Sequence, residues 1–197
     1  MEIDKFDGMT GRATAKVMAR MNRDAETEAV ELLGPAPGDR VLAIGIGPGV
    51  GVAHLAGSVD GVTVVGIDPS AAMLAEAGRR NRRWIDAGRV ELVRTTADAL
   101  PGRDASFDGA VAVNSIQMWE PLDASLREVS RVLRPGARLV AITHDWAIER
   151  STGRDPQAWF DWAAETCGRC GLDAPRTWRA RAEGGKAVAF EATNRQS

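Results

Sequence analysis

Apolar and polar positions follow two rhythms along this chain. Five runs are dominated by apolar residues: 40–46, 62–68, 90–95, 108–114 and 137–143. Runs that stay apolar, without a polar residue at every second position, suit strands covered on both faces. Between them apolar residues recur at helical spacing, as at Leu126, Val129 and Leu133. Boundary signals fall where this pattern needs them. Asp68-Pro69-Ser70 opens the helix AAMLAEAGRRNRRW, and Asp123 stands where it can cap SLREVSRVL, which Arg134-Pro135-Gly136 then ends. Asp155-Pro156 opens a further helix that stops near Cys170-Gly171, and residues 11–33 read as helical with a break at Asn22-Arg23-Asp24. Strands alternating with helices predict a parallel sheet with helices on both faces. Residues 176–181 and 187–193 read as two more strands, and the short turn at Glu183-Gly184-Gly185-Lys186 makes them an antiparallel pair.

One junction carries more than structure. The first strand runs into VLAIGIGPGVG, Val41 to Gly51, with glycine at 45, 47, 49 and 51. Glycine permits positive φ and keeps side chains away from whatever lies across the turn. Asp68 ends the second apolar run, one βα unit later. A carboxylate there can accept from both hydroxyls of a ribose. The dinucleotide fingerprint GxGxxG would need glycine or alanine at 50 or 52, and both are valine. The spacing is GxGxG.

That spacing resembles the class I S-adenosylmethionine (SAM)-dependent methyltransferases. Two further stretches strengthen the likeness. TADALPGRDASFDGAVAVNSIQMW, 96–119, is similar to the middle of the small-molecule, methyltransferase-11-like members. LREVSRVLRPGARLVAI, 126–142, is similar to the helix, proline-glycine turn and strand that follow there. The resemblance covers roughly residues 30–145. It implies an α/β, Rossmann-like seven-stranded, mostly parallel sheet in the order 3-2-1-4-5-7-6, with the last strand antiparallel and helices on both faces. It implies a single methyltransferase domain over 1–197: a helical lid over 1–33, a SAM-binding core over 38–145, and a C-terminal helix and hairpin over 146–197. The backbone of Gly45, Ile46, Gly47 and Gly49 would line the methionine moiety. Asp68, with Pro69 beside it, would take the ribose, Asp98 the adenine amine, and the Ala99 amide an adenine ring nitrogen. Asn114 would lie near the methionyl end. Gly45, Asp68, Asp98, Asn114 and His144 all fall at or just past predicted strand ends, where open α/β sheets bind ligands. One position departs from the pattern. The family usually carries an acid two residues before the first glycine, ordering the cofactor's ammonium end, and this chain has Ala43. Either another group compensates, or SAM binds weakly and the chain is a SAM-binding protein without transferase activity.

Bulk properties narrow the field. The net charge of −2 gives no long-range attraction for nucleic acid or an anionic membrane, so neither is an expected partner. No apolar run reaches a membrane span, the N-terminus lacks an apolar signal segment, and two cysteines make no disulfide framework. A cytoplasmic location follows as the expectation. The acceptor is expected to be a small molecule offering O, N or C. RNA and protein methyltransferases lose weight because the place of an NPPY-type tetrad reads NSIQ. A nicotinamide-dependent oxidoreductase is opposed by the GxGxG spacing and the terminal hairpin. No large insertion follows the fifth strand, so the pocket is either open or completed by a second subunit in a homodimer.

Individual residues have competing readings. His144, beside Asp145, is a candidate general base or merely a pocket wall. His54 reads as helix surface, and RRNRRW, 79–84, as a solvated face. Cys167 and Cys170 form a lone CxxC, and no metal site is expected because only two histidines exist, both elsewhere. Trp119, Trp146, Trp159 and Trp162 could line an apolar acceptor pocket, or Trp159 and Trp162 could anchor a helix. Met9, Met18 and Met21 suit a lid or a packing stripe.

Overall fold

The computed structural model describes residues 22–195. The expected lid over 1–33 therefore lies mostly outside the described residues, as do Met9, Met18 and Met21. Seven strands are present: β1 (Arg40–Ile44), β2 (Thr63–Ile67), β3 (Val90–Val93), β4 (Phe107–Val113), β5 (Leu133–His144), β6 (Leu172–Arg179) and β7 (Ala187–Asn194). They form one sheet in the order β3-β2-β1-β4-β5-β7-β6. The first five pair in parallel, and β7 runs antiparallel between β5 and β6. This is the expected layout. The helices are α1 (Arg23–Leu33), α2 (Val50–Ser58), α3 (Ala71–Arg80), α4 (Arg82–Asp86), α5 (Leu122–Val132), α6 (Asp145–Thr152) and α7 (Pro156–Arg169). No helix among the described residues is long and apolar enough to cross a membrane.

The doubly apolar strands split their side chains between two cores. Leu42, Ile44, Val65 and Ile67 join Leu126 and Val129 of α5 and Phe160 of α7. Val41, Ala43 and Val64 join Ala29 and Leu33 of α1 and Leu55 of α2 on the other face. The period of two in the strands drives this division. Each fully buried Val, Leu, Ile or Phe contributes about 1.5–3 kcal/mol of burial. Helix α1 is tied to the far hairpin as well. Buried Glu28 accepts from the Arg181 N–H at 2.9 Å and the Ala182 N–H at 2.7 Å.

Several boundaries hold, and several move. The Ser70 hydroxyl caps α3 by accepting from the Met73 N–H at 3.3 Å, and Asp155 caps α7 by accepting from the Ala158 N–H at 3.0 Å. Asp123 does not cap α5: the helix starts at Leu122, Pro121 precedes it in extended conformation, and Asp123 pairs with Arg127 at 2.7 Å within the first turn. Burying Leu122 pulls the helix start forward. The helix predicted over 71–84 breaks at Asn81, whose side chain turns inward and is fully buried. Helix α5 ends at Val132, before the Arg-Pro-Gly signal, because Leu133 already pairs with Phe107 across a register shift. Strand β6 begins at Leu172 rather than 176, and the hairpin connection is a short 3₁₀ turn, Ala182–Gly185.

The SFD group, Ser106–Asp108, sits at the opposite end of the sheet from the glycine turn. Asp108 accepts from the Arg40 N–H at 2.9 Å and pairs with Arg134, fastening β1, β4 and β5 at their origins.

Candidate active site

The chain leaves β1 through three glycines with positive φ: Gly45 (+70°), Gly47 (+50°) and Gly49 (+77°). The turn is braced from three sides. A Cβ on Gly45 would lie 2.4 Å from the Ser115 Cβ, and Ser115 itself donates to the Ile44 carbonyl at 2.7 Å. A Cβ on Gly49 would lie 2.7 Å from the Ala77 Cβ, so the turn presses directly onto α3. The Asn81 amide donates to the Gly49 and Ala77 carbonyls, both at 2.9 Å, and Arg80 donates to the Pro48 carbonyl at 2.9 Å. The run RRNRRW is therefore not wholly a solvated face: Arg80 and Asn81 hold the glycine turn.

Asp68 closes the turn from the β2 side. Its Oδ2 accepts from the Gly47 N–H at 2.8 Å and its Oδ1 from the Ser70 N–H at 2.9 Å. It is 7% exposed. Burial pushes its carboxyl above the usual range, and the two backbone donors oppose that rise. Each oxygen keeps capacity for a further donor.

A cavity of about 390 Å³ opens at the carboxyl ends of β1, β2 and β4, within the range of small-molecule sites. Gly45, Ile46, Gly47, Asp68, Pro69, Asp98 and Asn114 line it. Gly49 does not, since its role is contact with α3, and neither does Ala99, whose amide donates to the Thr96 carbonyl at 3.2 Å. The 98–104 segment is braced from α5. Glu128 accepts from the Leu100 N–H at 3.1 Å, and Arg131 donates to the Leu100 carbonyl at 3.1 Å.

Asn114 takes φ +49° at the exit of β4. Its Nδ2 donates to Asn22 Oδ1 at 2.9 Å, and its Oδ1 accepts from the His144 N–H at 2.9 Å. The His144 Nδ1 lies 2.8 Å from the Asn114 Nδ2. His144 is 1% exposed and does not line the cavity. The candidate base thus stands behind Asn114 and orients it, because β5 continues to His144 and keeps that side chain in the sheet. Of the four tryptophans, only Trp119 lines the cavity. Trp159 is buried edge-on against Phe160, ring centroids 5.0 Å apart, so it anchors α7. Trp146 and Trp162 are exposed. His54 is exposed on α2, 3.5 Å from the Thr27 hydroxyl. Cys167 and Cys170 are free and buried; burial pushes the Cys167 thiol up to about 12. No cluster among the described residues could hold a metal ion.

Asn22 and Glu26 are among the cavity residues that escaped the sequence reading. Asn22 partners Asn114. Glu26, on α1, reaches the cavity and also lines a small void beneath the turn together with Ala43. A Cβ on Gly51 would lie 1.9 Å from Glu26 Oε2, so a side chain at that place in α2 would displace the carboxylate from its present position. Burial pushes Glu26 up to about 8. A helical glycine facing a helical acid was the available signal.

Ile44, Val50, Ile67, Met73 and Val113 give the wall an apolar stretch, and Thr95, Thr96, Ser115, Glu120 and Ser125 add polar groups to it. An apolar trough bearing separate carboxylates from α1, β2 and the 95–101 loop fits a ligand with a flat apolar body and several well-separated donors. SAM has that character. Fold and site together define a Rossmann-like α/β protein with a small-molecule cavity at the carboxyl ends of its strands.

The chain belongs to the methyltransferase domain family, whose model matches residues 42–141. The O-methyltransferase cnsE of Penicillium expansum is 40% identical over 141 residues, 71% of this chain and 49% of that protein. A demethylmenaquinone methyltransferase of Beutenbergia cavernae is 39% identical over 132 residues, 64% of this chain and 51% of that protein. The matches thus span about half the length of these curated relatives. Among solved structures, a SAM-dependent methyltransferase from Aquifex aeolicus superposes with a TM-score of 0.75 at 20% identity, covering 92% of this chain and 97% of that one.

Proposed function

We propose that this chain transfers a methyl group from SAM to a small-molecule acceptor, with a hydroxyl oxygen as the receiving atom. The reading rests above all on Asp68, a buried carboxylate clamped to the Gly47 amide and facing the cavity. The O-methyltransferase name of the relative in Penicillium expansum supports the choice of oxygen.

When bound, SAM supplies a methyl group already activated on a cationic sulfur. Asp68 accepts from the ribose hydroxyls with the lone pairs its backbone donors leave unused. The exposed Asp98 accepts from the adenine amine. The Ala99 amide is held by Thr96, so adenine recognition falls to Asp98 and to apolar contact along the same loop. Gly45, Ile46 and Gly47 offer bare backbone to the methionine tail, and Asn114, locked by His144 and Asn22, fixes the wall at its far end. Met118 and Trp119 contribute an apolar face against which an acceptor can lie. Holding the acceptor in line with the sulfur removes most of the orientational cost of the reaction. His144 acts here through Asn114; the acceptor's hydroxyl proton passes to solvent, and S-adenosylhomocysteine is the leaving product.

Isothermal titration with SAM, S-adenosylhomocysteine and NAD tests the cofactor. Binding of the first two without NAD is expected, and preference for NAD ends the reading. A screen of phenolic and other small hydroxyl compounds for uptake of labelled methyl tests the transfer; uptake only into amines or macromolecules contradicts the proposed acceptor.

A further inference from the structure

We propose that the Glu26 carboxylate receives the ammonium group of the SAM methionine tail, replacing from α1 the acid that β1 lacks at Ala43. The inference rests on the SAM reading above. Three observations carry it. First, Glu26 lines the main cavity on the same side as Gly45, Ile46 and Gly47, the stretch proposed to bear the methionine tail. Second, Glu26 and Ala43 line one small void, so the carboxylate enters from the helix the space that an acid on β1 would approach from the strand. Third, Gly51 of α2 leaves room for the carboxylate where it stands: a Cβ there would lie 1.9 Å from Oε2, so a side chain would turn the carboxylate to another position. A carboxylate set among apolar side chains normally has a partner. Among the described residues, no hydrogen bond or ion pair to it is found. A cationic ligand supplies such a partner.

The charged surroundings are compatible. Arg23 and Asp24 on α1 are exposed, as is His54 on α2. On the strands behind α1, Arg138 of β5 donates to the Leu33 carbonyl at the opposite end of the helix, while His144 is engaged with Asn114. Beside Glu26, β1 and β4 present Ala43, Val111 and Val113, which carry no charge. Asp68 is the buried acid of the cavity, and its two backbone donors set it apart from Glu26.

A proton balance follows. In the free protein at pH 7 the Glu26 carboxyl is held mostly neutral by burial. An ammonium placed against it favours the carboxylate, so binding expels that proton to solvent.

The test is calorimetric titration of the intact chain and of Glu26→Gln with S-adenosylhomocysteine and with 5′-methylthioadenosine. The second ligand keeps the nucleoside and the thioether but has no amino-acid tail. Gln is close in shape to the neutral carboxyl of the apo protein, so the variant keeps the fold. Glu26→Gln is expected to weaken S-adenosylhomocysteine at least tenfold and to change 5′-methylthioadenosine less than twofold. Titrations at pH 7 in two buffers of different ionisation enthalpy should show up to about one proton fewer released by the variant. Unchanged affinity for both ligands overturns the proposal. Equal loss for both also overturns it, since Glu26 would then be shaping the cavity only. If the unaltered chain binds neither SAM nor its product, the cofactor reading itself has failed, an outcome distinct from either.

Discussion

At the scale of single residues the glycine turn and Asp68 form one device. Gly45 has no room for a side chain and sits at φ +70°. Gly45→Ala should cost about 2–4 kcal/mol, the sum of a left-handed penalty and a close contact. Chemical denaturation measures this, and Ser115→Gly in the same background should recover the contact part but not the backbone part. A Gly45→Ala variant as stable as the parent would contradict the packing described. Asp68→Ala should reduce SAM affinity at least tenfold, since a hydrogen bond to a charged group contributes about 1.5–3 kcal/mol. Unchanged affinity on titration would refute the ribose assignment. Much of this site was legible beforehand: the GxGxG turn, Asp68, Asp98 and Asn114 all border the cavity. Gly49 and Ala99 do not, because sequence spacing reports which residues share a loop and not which way each faces. Glu26 escaped for the converse reason. It lies fourteen residues before β1, and only tertiary packing brings α1 over the turn.

At the scale of elements, the paired signals worked where one local rule acted alone. Continuous apolar runs became the five parallel strands, and Ser70 and Asp155 became helix caps. They failed where packing outbid the local rule. Asn81 looked like the middle of a polar helix face. It is instead the break between α3 and α4, turned inward to hold the Gly49 carbonyl. Asn81→Ala removes two buried donors and should destabilise the chain by about 1–3 kcal/mol. It should also weaken cofactor binding, because the turn loses its brace. Urea denaturation with parallel titration checks both, and a variant with full stability would show that the brace is dispensable. The Asp123 cap failed similarly, with burial of Leu122 setting the helix start instead.

At the scale of the whole molecule, Glu26 and Cys167 set responses to pH and to reagents. Glu26 has a folded-state pKa raised from 4.5 to about 8. The sign follows directly: a raised acid is fully favourable to folding below its unfolded value, and that stability is lost as pH rises through the folded value. Apo stability should therefore fall between about pH 4.5 and 8. The buried Asp68 pulls the same way, whereas Glu128, held down by Arg131, loses its contribution as pH falls. Melting temperatures should decline between about pH 4.5 and 8 for the parent and flatten over that range for Glu26→Gln; superimposable curves would contradict this. Cys167, raised by burial, should resist alkylation in the native state and react only on unfolding, which mass spectrometry of labelled protein can follow. Rapid native labelling would show that α7 packs more loosely than described.

The most direct measurement is a crystal structure with S-adenosylhomocysteine. The nucleoside should lie in the trough beyond β1, β2 and β4, with its sugar hydroxyls within hydrogen-bonding distance of Asp68 and its purine beside Asp98. A nucleoside found elsewhere on the molecule, or one whose sugar makes no contact with Asp68, would contradict the account.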